Sequence, residues 1–308
     1  MDASIVIPTF NRREFMIRSL NYLEKQDYDK GKFEVIIIDD GSTDDTKNAI
    51  RKYIKASKLN IRYFYQNHKG PAVARNLGLK VMHGKYVFFI SDDIYPLRNW
   101  LKEHMKIHKK IKDIAVLGFV EWYPKTEIND FMKFLVKSGL VFDYHKIKDP
   151  NNCDAKFFFI SNLSLEKVWL NKNKYNESYK GASCEDIELG CTLEKQGLRI
   201  VFNKNAAAYH QHYYDLKNFC KRLYIVGKDW TILAKVHPDK FNVNYTALLK
   251  LIVSCFHQFI FFDRELRWKL KCGLHFYVGV FDGYTNGNFL ISFIYRILKP
   301  LCSFSLKY

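Results

Sequence analysis

The sequence predicts an α/β fold built on a mostly parallel sheet flanked by helices, and three observations point there. Short apolar, β-branched runs alternate with helical patterns across the first hundred residues, the second run is apolar throughout its end, and acidic residues recur where the runs stop. A strand without a polar face belongs in a sheet covered on both sides, which calls for crossover helices and parallel pairing.

Ser4-Ile5-Val6-Ile7-Pro8 opens as a buried strand, and Arg13 to Lys25 follows with Phe15, Met16, Leu20 and Leu23 at helical spacing. Phe33 to Ile38 is the second strand, and Gly41 to Asp45 is a turn leading into a helix with acids in its first turn. Ile61 to Tyr65 is a third strand, Pro71 to Met82 a helix and Tyr86 to Ile90 a fourth strand. Lys102 to Lys112 reads as a basic helix, Ile114 to Val120 and Phe157 to Leu165 as strands, and Gly181 to Gly197 as a helix opened by Cys184-Glu185-Asp186. Ile200 to Phe202 and Ala206 to Tyr209 are two short strands ending at His210-Gln211-His212. Beyond Tyr213 the pattern is helical, with apolar segments at Thr246 to Phe262 and Phe289 to Leu301. The expected division is a domain over 1–230, split into halves 1–98 and 99–230, and a helical appendage over 231–308.

The 308 residues are 48% hydrophobic, which excludes wholesale disorder. Of the net charge of +17, +9 falls in residues 201–308, beside the most aromatic segments. No zinc-finger spacing or RNP-like motif accompanies it, so nucleic acid is not an expected partner. Basic, aromatic helices suit an anionic membrane surface, on which they would lie rather than span. Seven cysteines without a CxxC pair, and no basic-then-apolar leader pattern, lead to the expectation of a cytoplasmic protein at the inner face of the membrane.

In open sheets of this kind ligands bind beyond the carboxyl ends of the strands. Those ends carry Pro8-Thr9-Phe10-Asn11, Asp39-Asp40-Gly41-Ser42 and Ser91-Asp92-Asp93. Adjacent carboxylates repel unless compensated, and a hard divalent cation both compensates them and recruits phosphate oxygens. Neither GxGxxG nor a P-loop follows a strand, so dinucleotide and P-loop readings fall.

The segments SIVIPTFNR (4–12), EVIIIDDGSTDDT (34–46), GPAVARNLGLKVMHGKYVFFISDDIYP (70–96), ISNLSL (160–165) and CEDIELGCTLEKQGLRI (184–200) together resemble glycosyltransferase family 2. The resemblance implies a GT-A-type, Rossmann-like fold and inverting transfer of a sugar from a nucleoside-diphosphate sugar, a UDP-sugar by preference. It places Pro8, Thr9, Asn11, Asp39, Asp40 and Asp92 around the donor, with Asp40 accepting from the base and Arg75 near the phosphates. It makes Asp93, the last residue of a DxD-like motif, and His210 ligands of Mn²⁺ or Mg²⁺, with His212 a weaker candidate. Asp186 becomes the general base that takes the acceptor hydroxyl's proton.

Ser91 departs from the motif and leaves one carboxylate fewer, which throws weight onto His210. Other roles stay open: a turn cap for Asp39, a surface ion pair for Arg75, a helix cap for Asp186. The expected acceptor is a glycan or a polyprenyl-linked intermediate. A sugar-phosphate nucleotidyltransferase would want a glycine-rich loop after the first strand, and a non-catalytic binding module is favoured by Ser91 alone.

Overall fold

The computed structural model describes residues 1–179, 181–241 and 264–284; the apolar segments expected at 246–262 and 289–301 lie outside these. In chain order its elements are β1 (Ala3–Thr9), α1 (Arg13–Glu24), β2 (Phe33–Asp39), α2 (Thr46–Ala56), β3 (Ile61–Tyr65), α3 (Pro71–Val81) and β4 (Tyr86–Phe89). Then come β5 (Ile94–Pro96), α4 (Trp100–Lys110), β6 (Ile114–Trp122), α5 (Asp130–Ser138), β7 (Leu163–Glu166), α6 (Glu185–Lys195), β8 (Arg199–His210), α7 (Leu216–Val236) and α8 (Arg264–Tyr284). The described residues form two compact units, Met1–Glu127 with Gly139–His212, and Ile128–Ser138 with those from Tyr213 on.

The first unit holds one eight-stranded sheet in the order β3-β2-β1-β4-β7-β6-β8-β5. Strand pairs β1–β2, β2–β3, β1–β4 and β6–β8 are parallel, while β7 and β5 run antiparallel to their neighbours. Alternate side chains of each inner strand point to opposite faces. Ile5, Ile7, Val35, Ile37 and Phe88 pack with Met16 and Leu20 of α1 and Trp100 of α4. Val6, Ile36, Ile38 and Phe89 pack on the other face with Ala72 and Ala74 of α3. Both faces are therefore covered, as the uninterrupted apolar runs require.

Two local readings change. The stretch expected as a strand over 157–165 is extended only from Leu163; Ala155–Phe157 forms a 3-10 turn instead. The two short strands expected at 200–202 and 206–209 are one strand, β8, whose register against β6 shifts between Gly118 and Phe119. The polar Asn203-Lys204-Asn205 is thus a bulge, not a break. Gly118 sits at that shift, where a Cβ would lie 2.3 Å from the Ala206 carbonyl oxygen. The basic stretch at 102–112 is α4, whose inner face buries Trp100, Leu101, His104, Met105 and His108.

The ISNLSL segment is the hub of a buried polar network. Asn162 Oδ1 accepts from Trp100 Nε1 (2.6 Å) and His104 Nε2 (2.9 Å), and its amide donates to the Phe119 and Ala206 carbonyls. With Nε2 donating, His104 Nδ1 accepts from the Ser164 hydroxyl (2.8 Å), whose oxygen accepts from His108 Nε2 (2.8 Å). One consistent set of tautomers accommodates all of these bonds, fastening β7 and α4 to the bulged β6–β8 pair.

In the second unit Phe131 and Phe134 of α5 meet Trp268 of α8, and Phe131 also meets Phe219 of α7. Arg264 pairs with Asp130 at 3.0 Å and Lys137 with Glu265 at 2.8 Å. The boundary drawn at residue 230 falls inside α7. No described helix is long and apolar enough to cross a membrane. Cys153, Cys184, Cys191, Cys220 and Cys272 are buried.

Candidate active site

The chain leaves β4 at its carboxyl end and passes directly through Asp92 and Asp93, each only 4% exposed. Thr9, the last residue of β1, donates its hydroxyl to Asp92 Oδ2 at 2.8 Å. One residue later β5 begins and pairs antiparallel with the end of β8, with Ile94 opposite His210 and Gln211 N donating to the Asp93 carbonyl at 2.9 Å. That edge pairing brings His210 Nε2 to 3.5 Å and His212 Nδ1 to 3.4 Å from Asp93 Oδ2. The potential ligand atoms of Asp93, His210 and His212 all lie within 4.8 Å of one another.

One carboxylate and two imidazoles fit a divalent transition ion; two nitrogen donors suit Mn²⁺ better than the oxygen-seeking Mg²⁺. His210 is held flat against Trp122, ring centroids 5.8 Å apart, with the edge of Phe142 at 5.9 Å. Phe142 itself is left-handed at φ 52°.

Arg12, which nothing in the sequence spacing singled out, spans the two carboxylates. Its Nη2 lies 2.9 Å from Asp93 Oδ2 and its Nε 3.4 Å from Asp92 Oδ1. Burial and the Asp93 charge push the Asp92 carboxyl up to about 7. Burial also works to raise Asp93, but His210, His212 and Arg12 outweigh it and hold Asp93 well below the usual carboxylate range. The unequal environments favour the ionised form more strongly at Asp93, the residue that faces the histidines, than at Asp92.

The β2 carboxylates and Asn11 are engaged differently. Asp39 Oδ1 accepts from Ser42 N (2.8 Å) and Oδ2 from Tyr63 Oη (2.6 Å), which closes the turn after β2. Asn11, left-handed at φ 52°, accepts on Oδ1 from Thr43 N and Asp44 N, and its own N–H donates to Ser42 Oγ. Asp40 accepts from Gln66 Nε2 (2.6 Å), Lys69 N (2.9 Å) and Gly70 N (2.9 Å), with His68 Nδ1 also 2.9 Å away. It thereby holds the loop that enters α3. Gly41 adopts φ +87°, and a Cβ there would meet His68 N at 2.7 Å. Beside this turn the ring of Phe10, 39% exposed, stacks on His68 with centroids 4.1 Å apart. Pro8 is half-buried within β1, opposite Ile38.

The third group gathers at the start of α6. Arg75 of α3 donates from Nη1 to Glu185 Oε1 at 3.0 Å, with both residues buried. This is an ion pair, as one reading of Arg75 allowed, but an interior one. Glu185 Oε2 also accepts from Ser183 N at 2.7 Å. Asp186 stands in the same first turn, half-buried, where Oδ1 accepts from Ile187 N at 2.8 Å.

The sequence candidates thus fall into three groups: Thr9, Asp92, Asp93 and His210 in one cluster, Asn11, Asp39 and Asp40 around the β2 turn, Arg75 and Asp186 at α6. Strand ends lined with carboxylates, a histidine-bearing edge and a helix start offering a further carboxylate sit together in a fold of the GT-A type. The sequence pattern of glycosyl transferase family 2 matches residues 4–165, and the chain belongs to that family.

Similarity to individual proteins agrees. The chain is 28% identical over 287 residues to the chondroitin synthase of Pasteurella multocida strain Pm70, covering 83% of this chain but 29% of the synthase. It is 37% identical over 103 residues to the poly(ribitol-phosphate) β-N-acetylglucosaminyltransferase TarS of Staphylococcus aureus strain Mu50, covering 33% of this chain and 18% of that protein. The chain therefore spans less than a third of the length of either relative. Among solved structures, mannosyltransferase PcManGT from Pyrobaculum calidifontis, in complex with GDP-Man and Mn²⁺, shares the fold at TM-score 0.60 and 15% identity over 98% of this chain and 83% of its own. S. aureus TarS in complex with UDP-GlcNAc shares it at TM-score 0.57 and 21% identity over 91% of this chain and 82% of its own.

Proposed function

We propose that this glycosyltransferase moves a sugar from a UDP-sugar to an acceptor hydroxyl with inversion, with Asp186 as general base and Mn²⁺ or Mg²⁺ at Asp93, His210 and His212. The observation that carries the reading is the convergence of one carboxylate and two imidazoles on a common point beside the buried Asp92–Asp93 pair. When bound, a divalent cation there supplies Lewis-acid neutralisation of the leaving diphosphate.

The chain's own residues supply the rest. Asp186 takes the proton of the attacking hydroxyl, and because inversion is a single displacement no nucleophilic carboxylate is needed. Arg75 positions α6 through Glu185, and its buried guanidinium acts on the donor through that helix rather than directly. Asp39 and Asn11 shape the donor pocket by holding the turn after β2. Asp40, with the exposed Phe10–His68 stack beside it, offers an acceptor and a flat platform for the base.

A chondroitin synthase and a poly(ribitol-phosphate) transferase among the relatives support a glycan acceptor, free or carried on a polyprenyl lipid. The +9 charge of residues 201–308 supports peripheral contact with an anionic membrane, on the cytoplasmic side.

The deciding experiment is a thermal-shift panel of UDP-, GDP- and TDP-sugars with and without Mn²⁺, followed by transfer assays with the sugar that stabilises most. Mn²⁺-dependent stabilisation by a UDP-sugar is expected. Stabilisation by no nucleotide sugar under any metal condition would overturn the reading, and failure of the full chain to bind anionic vesicles would remove the membrane part.

A further inference from the structure

Two adjacent buried carboxylates need a positive partner, and the chain carries one of its own. Arg12 reaches Asp93 Oδ2 through Nη2 at 2.9 Å and Asp92 Oδ1 through Nε at 3.4 Å. Its guanidinium carbon lies 4.3 Å from the centroid of Phe15, on the first turn of α1, which fixes the fork over the carboxylates. Lysine could not do this, because a point charge cannot span both acids in a planar grip.

The oxygen that Arg12 holds is the same oxygen the histidines face. His210 Nε2 and His212 Nδ1 stand 3.5 and 3.4 Å from Asp93 Oδ2. A divalent ion shared by these three residues bonds that oxygen at roughly 2.1 Å. An N–H donor aimed at the same atom would then stand within about 5 Å of a doubly charged ion in a partly buried site, where screening is weak. Arg12 and the metal are therefore alternative partners for Asp93.

We propose that Arg12 is a built-in counter-cation that keeps the empty metal site assembled, surrenders Asp93 to the ion, and then turns its freed Nη2 toward the donor's diphosphate. This rests on the metal-dependent reading of the site given above. Two carboxylates facing a divalent ion and a guanidinium leave the site net positive, which is what an incoming diphosphate requires. Loading the ion and accepting the donor become coupled: the ion frees the guanidinium, and the phosphate gives it a new partner.

The test measures binding, not turnover. Titration of MnCl₂ alone, by calorimetry and by the EPR signal of free Mn²⁺, compares the wild type with Arg12→Met and Arg12→Lys. Arg12→Met keeps the stem against Phe15 but removes the competing charge. It should bind Mn²⁺ roughly tenfold more tightly, and bind UDP at saturating Mn²⁺ roughly tenfold more weakly. Arg12→Lys should shift both in the same directions by less, and it carries the test if the methionine variant fails to fold. Wild-type Mn²⁺ binding that neither variant tightens would refute the exchange while leaving the metal site standing. Absence of Mn²⁺ binding in all three proteins would sink the metal reading itself, and the exchange with it.

Discussion

Arg75 on α3 and Glu185 at the start of α6 form an interior ion pair, Nη1 to Oε1 at 3.0 Å, with 4% and 2% of their surfaces exposed. Removing one partner of such a pair strands the other, so Arg75→Met should destabilise the fold by ~3–5 kcal/mol. Urea unfolding measures this. The Arg75→Met, Glu185→Gln double variant should lose clearly less than the sum of the singles, because each residue's main charged partner is the other.

Asp186, the next residue after Glu185, should behave in the opposite way. The hydrogen bond it accepts from Ile187 N can persist in Asp186→Asn through the amide oxygen, so the melting temperature should stay near that of the wild type. Turnover should fall by roughly 10²–10⁴-fold, the usual contribution of a general base. A variant that melts normally and retains more than a tenth of wild-type turnover would remove Asp186 from the chemistry.

The buried histidines predict an acid limit to stability. Burial pulls His104 down to about 4 and His108 to about 3, both from 6.5. Both rings stay neutral in the fold, whereas unfolded imidazoles take up protons near pH 6.5. Stability from the pair is therefore full above that value and drains away as pH falls from 6.5 toward 4. His104 alone accounts for about 3 kcal/mol across that window. Urea unfolding near neutral pH and near pH 5 should show the loss, and His108→Gln should make it shallower.

Gly41 should resist even the smallest side chain. At φ +87°, and with a Cβ only 2.7 Å from His68 N, Gly41→Ala should cost about 1–3 kcal/mol. It should also weaken nucleotide binding, because it pushes on the loop that Asp40 holds. Thermal unfolding with and without UDP separates the two effects.

The strands and helices of the first hundred residues were legible because each apolar run is short, bounded and two-sided. Asp93 and His210 could be paired on paper from a family resemblance. What brings them together could not be seen: β5 is three residues long, too short to show alternation. The network through Asn162 was hidden for a different reason. His104 and His108 lie among the lysines of α4 and read as part of a solvated face, although the spacing of four places them together on one inner side. Arg12 was equally silent, since an arginine after a strand end looks like a surface charge until the fold shows what it covers. Asn203-Lys204-Asn205 looked like a break because a bulge and a loop have the same polar composition.

The placement of β5 has one more consequence. It is the last strand in the sheet order, and its pairing with β8 joins Asp93 to His210 and His212. Sheet margins are where native proteins open first, and backbone amides there exchange with solvent most readily. A ligand that grips Asp93 together with the histidines would close a latch across that margin. Amide exchange at residues 94, 95 and 207–211 should slow when Mn²⁺ is added, while the central strands β1 and β2 stay unchanged. This edge of the sheet would then report, amide by amide, whether the site is loaded.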